Sequence, residues 1–584
     1  MKSSNSTRRW IIAILVLGGV VLLGLFAFIG FTLTFFGAPE VQRGSIVVVR
    51  FEGDIEEAPP EHVLSFLVPG GPSFVTLYEL RRLVEVAAQD DRVAGVLLEI
   101  GNVSSGRASV DEARGLIARL REAKKPVQAV LVGDSVGEKE YLLATAADRI
   151  IVAPQAALLI NGISAEVIFW RGTFDKLHVE PQFFMFKEYK SAAEPYINRE
   201  MSKPMREWLD SMLNEFYSRF VSEVADRRGQ SASALRALFD KGGMTAREGL
   251  EAKLVDALGY PEDAEAQIRK AAGVASDKRE RIGARRYLSG AEEAQEGEQV
   301  ALIYANGAIS ASGKSNASPF GEGGIMGPRL ASTIHEAAEE EKAKAIILRV
   351  NSPGGSAVGS DFVWRAVTAA KKKKPVIVSM GDVAGSGGYW ISMAADSIVA
   401  QPSTMTGSIG VVFGKFNLTG LFEWAGAHVD RVKVGENADM LSEFTSFDAK
   451  QAARVKAWMT EVYNDFVRRV AEGRGLTYEA VEPIAHGRVW TGAQAKERKL
   501  VDALGGLDTA IEIAREKAHI PKDSKVYLRR FPRRKGLLEA LSEGEFPMVR
   551  LLLEQRGLAR RVEEAASEWE TLRPWAIAPE IRIR

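Results

Sequence analysis

The chain contains no cysteine among its 584 residues. This absence excludes a disulfide framework, a thiol nucleophile, and any zinc or iron–sulfur site that uses Cys ligands. Histidine is also scarce: six are scattered along the sequence, and none stands in a metal-binding spacing such as HExxH. The sequence therefore predicts no metal site and disfavours a metal-dependent hydrolase.

An excess of either charge is absent as well. Lys plus Arg and Asp plus Glu both number 76, so the chain lacks the long-range positive field that nucleic-acid binding needs. Apolar residues make up 46% and charged residues 26%, a composition typical of a folded globular protein. We therefore predict two or more folded domains and no nucleic-acid partner.

A phosphate-binding P-loop is incomplete in this chain. The segment from Gly307 to Ser315 resembles GxxxxGK[ST], but an extra residue separates Gly307 from Gly313. The sequence therefore predicts no nucleotide site, and it indicates no other cofactor.

Positive charges and a long apolar run mark the amino terminus. Lys2, Arg8 and Arg9 precede an uncharged segment over residues 10–36. About 20 helical residues span a bilayer, whereas a cleaved signal peptide has an apolar core of about 7–15. We predict a cytoplasmic tip over 1–9 and a transmembrane signal anchor over 10–36, with the rest of the chain on the periplasmic side of a bacterial inner membrane. A cleaved signal peptide is the alternative that remains open.

The rest of the chain repeats itself after about one domain length. The recurring motifs are KKPV at 124–127 and 373–376, and KLVDALG at 253–259 and 499–505. A repeat of this length is a whole domain rather than a solenoid unit. We predict two tandem domains over 44–272 and 299–525, a polar linker over 273–298, and a basic, helical extension over 526–584.

Short β-branched runs alternate with amphipathic stretches in both copies. They lie at 45–49, 96–100, 127–131 and 150–152 in the first copy, and at 300–304, 345–350, 376–380 and 397–400 in the second. Continuous apolar strands separated by helices are typical of parallel β/α units whose sheet is covered on both faces. The predicted fold class is α/β. The apolar segment 59–72 and the glycine-rich segment 312–327 are expected to form loops.

Two glycine clusters follow successive predicted strands of the second copy. They are NSPGGS at 351–356 and AGSGGYW at 384–390. Glycine lets a backbone N–H approach a ligand closely, and two such groups can stabilise an oxyanion beside a serine nucleophile. Ser386 meets that requirement, whereas the first copy has Glu138 at the aligned position. A simple tight turn is the alternative explanation for the second cluster.

A buried lysine could serve as the base for Ser386, because no histidine belongs to a pattern with it. Burial disfavours the ammonium form, so a desolvated lysine can accept a serine proton. Lys187 and Lys190 follow an apolar run in the first copy, within FKEYKSAAEP at 186–195. The aligned segment of the second copy is VGENADM, with no lysine opposite Lys190. The second copy thus lacks the lysine and the first copy lacks the serine. A solvated surface lysine remains the alternative explanation for Lys190.

Four motifs together resemble one protease family. They are YKSAAEP at 189–195, NSPGG at 351–355, SGGYWIS at 386–392 and STMTGSIG at 403–410. The chain resembles the long, tandem-repeat form of bacterial signal peptide peptidase A, a crotonase-like (ClpP-like) serine protease with a Ser/Lys dyad. The resemblance extends from the apolar amino-terminal segment to about residue 525.

This resemblance implies a role for each motif. Ser386 is expected to be the nucleophile, Lys190 the general base, and Ser408 the hydroxyl that orients the lysine. Oxyanion binding is expected from backbone N–H groups, namely those of Gly354 or Gly355 and of Gly387. The likeness also implies a homotetrameric dome on the membrane that degrades short apolar peptides, such as cleaved signal peptides.

Two other functions remain open from the sequence. A catalytically silent membrane scaffold would keep the duplicated fold for assembly alone, and an acyl-CoA enzyme of the crotonase superfamily would share the backbone oxyanion hole. The extension over 526–584 is expected either to lie on an anionic membrane surface or to dock on a neighbouring subunit.

Overall fold

The fold is given by a computed structural model that describes residues 41–58, 75–274, 281–291, 296–312, 324–532 and 582–583. The predicted anchor over 10–36, the loop over 59–72 and most of the extension over 526–584 lie outside the described residues. Within the described ranges, every helix is either too short or too polar to cross a membrane.

The first half alternates strands and helices along the chain. Its strands are β1 Ser45–Gly53, β2 Val93–Val103, β3 Val127–Leu131, β4 Ser135–Val136, β5 Arg149–Val152, β6 Ala157–Leu158, β7 Ala165–Glu166, β8 Glu180–Phe186, β9 Met244–Thr245, β10 Ala257–Leu258 and β11 Arg281–Gly283. Its helices are α1 Leu77–Gln89, α2 Arg107–Glu122, α3 Glu138–Ala144, α4 Arg171–Lys176, α5 Glu194–Ile197, α6 Lys203–Arg228, α7 Ala232–Phe239, α8 Ala246–Glu251, α9 Pro261–Ala271 and α10 Ala284–Ser289. A short 3₁₀ helix, Ser191–Ala193, precedes α5.

The second half follows the same alternation. Its strands are β12 Glu298–Asn306, β13 Ile309–Ser310, β14 Ile325–Met326, β15 Ala343–Ser352, β16 Val376–Gly385, β17 Ser397–Ala400, β18 Met405–Gly407, β19 Val411–Asn417, β20 Val489–Thr491, β21 Ala503–Leu504 and β22 Val526–Phe531. Its helices are α11 Gly327–Glu339, α12 Ala357–Ala370, α13 Gly387–Ser392, α14 Thr419–Trp424, α15 Ala449–Arg474, α16 Tyr478–Val481, α17 Gly492–Glu497 and α18 Leu507–Lys517, with a 3₁₀ helix at Glu482–Ile484. A last strand, β23 Arg582–Ile583, pairs with β7 of the first half.

Each half builds one large sheet, and these two sheets share a strand order. The order is β10-β5-β3-β2-β1-β11 in the first sheet, and the equivalent path in the second is β21-β17-β16-β15-β12-β22. All of these neighbours run parallel. The second sheet also has β18 beside the end of β16, with β20 antiparallel to it. The α/β fold class is confirmed, and each predicted strand segment lies within an observed strand.

The repeat extends further than the sequence predicts. Within 273–298, expected to be a linker, the chain forms β11 and α10, and β11 pairs with β1 at the sheet edge. In the second half, β22 pairs with β12 in the same way, although it lies in the predicted extension. Both are edge strands among charged residues, so neither has the long apolar run of a buried strand. Likewise, α11 begins at Gly327, at the end of the predicted glycine-rich loop.

Apolar side chains cover both faces of each sheet, which explains the uninterrupted apolar strands. In β2, Val96 and Leu98 pack in the larger core with α1, α2 and α3, whereas Leu97 points to the opposite face, toward α9. The second sheet is arranged alike: Ile347 faces α18, and Ile346 and Leu348 face α12 and α13. Alternate residues of a strand therefore pack against helices on opposite faces of the sheet, as expected for a parallel sheet that is covered on both faces.

An antiparallel ribbon joins the two halves. β8 of the first half pairs with β19 of the second, with Phe186 opposite Val411 and Glu180 opposite Asn417. Aromatic rings pack on the ribbon, since the ring centroids of Phe183 and Phe416 are 5.1 Å apart. The ribbon thereby brings the segment that follows Phe186 close to the end of the second sheet.

A buried ion cluster fixes the two halves together beneath the ribbon. The Arg349 guanidinium on β15 contacts Glu57 Oε2 at 2.8 Å and Glu112 Oε2 at 2.7 Å, and both carboxylates belong to the first half. All three side chains are at most 6% exposed. Burial outweighs the attraction of Arg349 and raises the pKa of Glu57 above its ordinary value. Removing one member of such a cluster leaves an unpaired buried charge, which costs about 3–5 kcal/mol.

A second buried carboxylate links the halves nearer the sheet end. Asp382, near the end of β16, accepts hydrogen bonds from the Ser109 amide at 2.8 Å and the Ser109 hydroxyl at 2.6 Å. Gly106, the residue before α2, packs so closely on Asp382 that a Cβ there would lie 2.4 Å from the carboxylate. The first turn of α2 is therefore held against the strand that leads into the second glycine cluster.

Candidate active site

Ser386 lies at the junction between β16 and α13, and its backbone is strained. Its φ of 53° with ψ of −116° lies on the side of the Ramachandran map that residues with a Cβ rarely adopt. The Ser386 amide donates to the carbonyl of Gly407 at 2.9 Å, which ties the turn to β18. The side chain is 2% exposed. A strained serine turned inward between a strand and a helix is a common arrangement for a nucleophile.

Lys190 reaches Ser386 from the other half of the chain. It follows the ribbon strand β8 and directly precedes the 3₁₀ helix. Its Nζ atom lies 2.9 Å from Ser386 Oγ, 3.0 Å from Ser408 Oγ and 2.9 Å from the Ser408 carbonyl oxygen. The sequence predictions for Ser386, Lys190 and Ser408 therefore fall on one cluster of touching side chains.

Burial dominates the electrostatics of Lys190. The side chain is 1% exposed, and desolvation lowers its pKa to about 7. Among the described residues, no carboxylate forms an ion pair with it. A lysine with this pKa has a substantial neutral fraction near neutral pH, and the neutral amine can accept a proton from a neighbouring hydroxyl.

Ser408 occupies a second turn beside the first. Its φ is 50°, and its amide donates to the Arg488 carbonyl at 2.8 Å. The hydroxyl and the carbonyl of Ser408 both face Lys190 Nζ, so this one residue supplies two of the three contacts of the amine. Because these two oxygens of Ser408 hold the amine in place, its remaining hydrogen-bonding direction is toward Ser386 Oγ.

The predicted oxyanion glycines lie beside Ser386, but they are not equivalent. Gly354, with φ of 103°, already donates its N–H to Ser352 Oγ at 3.2 Å, and a Cβ on it would lie 2.6 Å from the Gly387 nitrogen. Gly355 and Gly387 lie next to each other, since a Cβ on Gly387 would lie 3.0 Å from the Gly355 nitrogen. Neither of their N–H groups has an acceptor among the described residues. Of the alternatives, Gly355 therefore pairs better than Gly354 with Gly387 as an anion-binding donor.

Two contributors to the site are not predicted as site residues from the sequence, although Ser352 lies within the NSPGGS motif. Ser352 holds the Gly354 amide and also donates its hydroxyl to the Gly307 carbonyl at 2.7 Å. The loop 485–488 backs both Lys190 and Ser408, and the left-handed Gly487 within it, with φ of 80°, was the one detectable cue. Among the described residues, no three His, Asp or Glu side chains lie close enough to hold a metal ion.

The repeats match a known peptidase family. The sequence profile described as Peptidase family S49 matches residues 119–275 and residues 368–521, once in each half. The chain belongs to peptidase family S49. The predicted membership in the tandem-repeat branch of this protease family is thereby confirmed, and peptide-bond hydrolysis is the activity class of the family.

Named relatives of this S49 peptidase match most of its length. It is 32% identical to "Serine protease SPPA, chloroplastic" of Arabidopsis thaliana, over 84% of this chain and 71% of the relative. It is 34% identical to "Protease 4" of Salmonella typhi, over 76% of this chain and 72% of the relative. A shorter match, 32% identical over 38% of this chain and 64% of the relative, is to an Enterococcus faecium protein provisionally named signal peptide peptidase SppA.

Among solved structures, a ClpP1 mutant from Listeria monocytogenes matches 35% of the S49 peptidase chain and 92% of its own. The TM-score is 0.22 and the sequence identity is 16%.

The burial of Lys190 predicts a specific pH dependence of stability. Below its folded pKa of about 7, the lysine is charged in both states and the full cost of burial opposes folding. As the pH rises toward the ordinary pKa, the folded state loses its proton first, so the free energy of unfolding increases. Urea unfolding should show a gain on the order of 3 kcal/mol between about pH 7 and about pH 9.5 that Lys190→Met lacks.

Lys176→Met is the matched control, because Lys176 is exposed at the end of α4. This variant should keep the pH-dependent gain of the natural protein. An identical gain in Lys190→Met would contradict the low pKa of Lys190.

Proposed function

We propose that this S49 peptidase is a serine endopeptidase with Ser386 as nucleophile and Lys190 as general base. The observation that carries the proposal is the 2.9 Å separation between Lys190 Nζ and Ser386 Oγ, with both side chains buried. The relatives named as serine protease and as Protease 4 support the same class.

The proposed reaction begins with a proton transfer. Neutral Lys190 takes the proton of the Ser386 hydroxyl as Oγ bonds to the carbonyl carbon of the substrate, which creates a tetrahedral oxyanion. The Lys190 ammonium then gives this proton to the departing amine as the C–N bond breaks. A water molecule repeats the sequence on the acyl-enzyme: Lys190 takes its proton, the acid product leaves, and Ser386 regains its hydrogen.

Backbone donors would stabilise the oxyanion in both tetrahedral steps. The N–H groups of Gly355 and Gly387 are adjacent and lack acceptors among the described residues. One donor of this kind contributes about 3 kcal/mol to lowering the barrier. Ser408 would act differently: its hydroxyl keeps the amine pointed at Ser386 and shares the proton that the lysine carries.

Covalent labelling tests the dyad directly. A fluorophosphonate should modify Ser386, identified by mass spectrometry, and Ser386→Ala should abolish the label. Lys190→Ala should slow labelling and peptide cleavage by about 10²–10⁴-fold, because the general base is lost. The labelling rate of the natural protein should rise with pH through about 7, as the Lys190 amine becomes neutral.

The exposed residues Ser332 and Lys176 supply the controls, and their Ala variants should react like the natural protein. Full labelling of Lys190→Ala would remove the lysine from the mechanism. A protein that no fluorophosphonate labels, with normal folding, would instead support the catalytically silent scaffold.

We further propose that the substrates are short apolar peptides, including cleaved signal peptides, and that the enzyme acts at the outer face of the bacterial inner membrane. The relative provisionally named signal peptide peptidase supports this substrate class. The uncharged segment 10–36, preceded by positive charges, supports single-pass anchoring with the catalytic halves on the periplasmic side.

Membrane anchoring predicts how the chain fractionates. The full-length protein should stay with the membranes during alkaline carbonate washing and require detergent for release. A variant that lacks residues 1–36 should be recovered in the soluble fraction, where it should still be labelled at Ser386. Release of the full-length protein by carbonate would contradict an uncleaved anchor.

Assembly into a homotetramer is also proposed, and the internal repeat supports a route to it. HVE at 178–180 leads into β8, and HVD at 428–430 leads into the corresponding segment of the second half. β8 pairs with β19, whereas the segment 430–434 forms no strand, and Val432 and Val434 are 97% and 96% exposed. The segment is suited to pair with a strand edge of the first half in another copy, a head-to-tail contact that can close a ring.

Charge in that segment should block assembly. The Val432→Asp, Val434→Asp variant should elute as a smaller particle than the natural protein, measured by light scattering after gel filtration in detergent. Val132→Asp, at a residue 44% exposed in the first half, serves as the control and should keep the original mass. An unchanged mass of the double variant would exclude this contact.

A further inference from the structure

The loop 485–488 of the second half packs directly on the two turns of the active site. Gly487 lies so close to Lys190 that a Cβ on it would be 2.5 Å from the Lys190 Cβ. Its amide donates to the Ile409 carbonyl at 2.7 Å, and the next carbonyl, of Arg488, accepts from the Ser408 amide at 2.8 Å. The loop therefore lies behind both the amine and the residue that orients it.

His486 connects this loop to the segment that carries Lys190. Its Nδ1 atom lies 2.7 Å from Glu188 Oε1, and its carbonyl accepts from the Tyr189 amide at 3.0 Å. Both partners belong to the first half and precede Lys190 directly in sequence. His486 thus holds the lysine-bearing segment by two contacts: its ring contacts Glu188, and its backbone carbonyl contacts Tyr189.

The other side of the ring faces a second carboxylate. His486 Nε2 lies 2.8 Å from Glu482 Oε1, and Lys187 Nζ contacts the same oxygen while lying 3.3 Å from Nε2. Tyr463 completes the surroundings, since its hydroxyl accepts from the His486 amide at 3.4 Å. The ring therefore has a carboxylate within hydrogen-bonding distance of each nitrogen.

The carboxylates on either side are biased toward their charged forms. The hydrogen bond from Lys187 lowers the pKa of Glu482, with a smaller contribution from His486. Burial tends to raise the pKa of Glu188, but hydrogen bonds from its own amide and from His486 outweigh it and lower the pKa. The ring therefore lies between two carboxylates with lowered pKa values, Glu188 from the first half and Glu482 from the second.

Arg488 follows Gly487 in the loop and also contacts the segment that carries Lys190. Its guanidinium lies 4.9 Å from the centre of the Tyr189 ring and forms an ion pair with Glu207 at 2.8 Å. Glu207 also accepts from the Tyr189 hydroxyl at 3.1 Å. His486 and Arg488 of this loop thus both contact the segment directly before Lys190.

We infer that His486 is a positioning residue that holds the Lys190 amine against Ser386, through Glu188 and the backbone of Tyr189. The inference rests on the proposed Ser/Lys mechanism and adds to it a group from the nucleophile-bearing half that aligns the base from the other half. His486 touches neither Ser386 nor the Lys190 amine, so its effect passes through the lysine segment.

Loss of the ring should loosen Lys190 without altering the peptide-binding surface. A looser segment admits water, which favours the ammonium form and lengthens the distance to the Ser386 hydroxyl. His486→Asn tests this, because Asn tolerates the left-handed backbone of His486, whose φ is 50°. The variant should show a lower kcat with an unchanged KM.

The decisive measurement is the rate of labelling by a small fluorophosphonate in the full-length protein, as a function of pH. His486→Asn should react at least about 10-fold more slowly, with its half-maximal pH shifted upward from that of the natural protein. His519→Asn is the matched control. His519 is exposed, has a similar left-handed φ of 54°, and lies in the turn after α18, outside the loop 485–488.

A second variant distinguishes the loss of positioning from misfolding of His486→Asn. Glu188→Gln keeps the size of the side chain and removes the charge that His486 contacts, so it should shift the labelling pH in the same direction as His486→Asn. A natural rate and natural pH profile in both variants, with unchanged urea midpoints, would overturn the positioning role. Failure of the natural protein itself to be labelled would instead overturn the proposed Ser/Lys function.

Discussion

The structure depends on one constraint: a lysine amine must be withdrawn from water and held beside a serine hydroxyl that belongs to a different half of the chain. Burial alone lowers the pKa of Lys190 to about 7, since no described carboxylate offsets the desolvation. Removing a charge from water is costly, so the surrounding contacts must be strong enough to hold the amine in place. The ribbon of β8 and β19 provides the direct backbone connection for this purpose.

The boundary between the halves carries polar and charged contacts close to the site. Arg349 lies on β15, shortly before the first glycine cluster, and Asp382 lies on β16, shortly before Ser386. Both contact residues of the first half. The strands that end at the glycines and at the serine are therefore each anchored to the half that supplies the lysine. Movement between the halves would therefore disturb these contacts as well as the contact between Lys190 and Ser386.

Much of the fold was predictable because its strands are buried on both faces. Runs such as 96–100 and 345–350 are uninterrupted in apolar residues, and this pattern marks them without any knowledge of their partners. The edge strands β11 and β22 were missed, since an edge strand with charged neighbours lacks that pattern. The extent of the repeat was consequently underestimated at both ends.

The candidate site likewise contains residues that are predictable from the sequence and residues that are not. Ser386 and Lys190 each occur in one copy and are replaced in the other, a comparison that the duplication makes available, and the resemblance to the peptidase family then implies their roles as nucleophile and base. His486 has no such signal, because its importance comes from contacts to Glu188 and Tyr189 that pairing across the halves creates. Gly354 and Gly355 could not be distinguished either, since the hydroxyl of Ser352 that occupies one amide is visible only in three dimensions.

The order of the two halves along the chain has a consequence for biosynthesis. A ribosome completes the lysine-bearing half first, and at that stage Lys190 has neither Ser386 nor Ser408 to contact. The loop 485–488 emerges about 300 residues after Lys190, so the pair cannot be assembled until nearly the whole polypeptide has been made. A chain whose synthesis has not reached the loop 485–488 therefore lacks part of the structure that holds Lys190 beside Ser386.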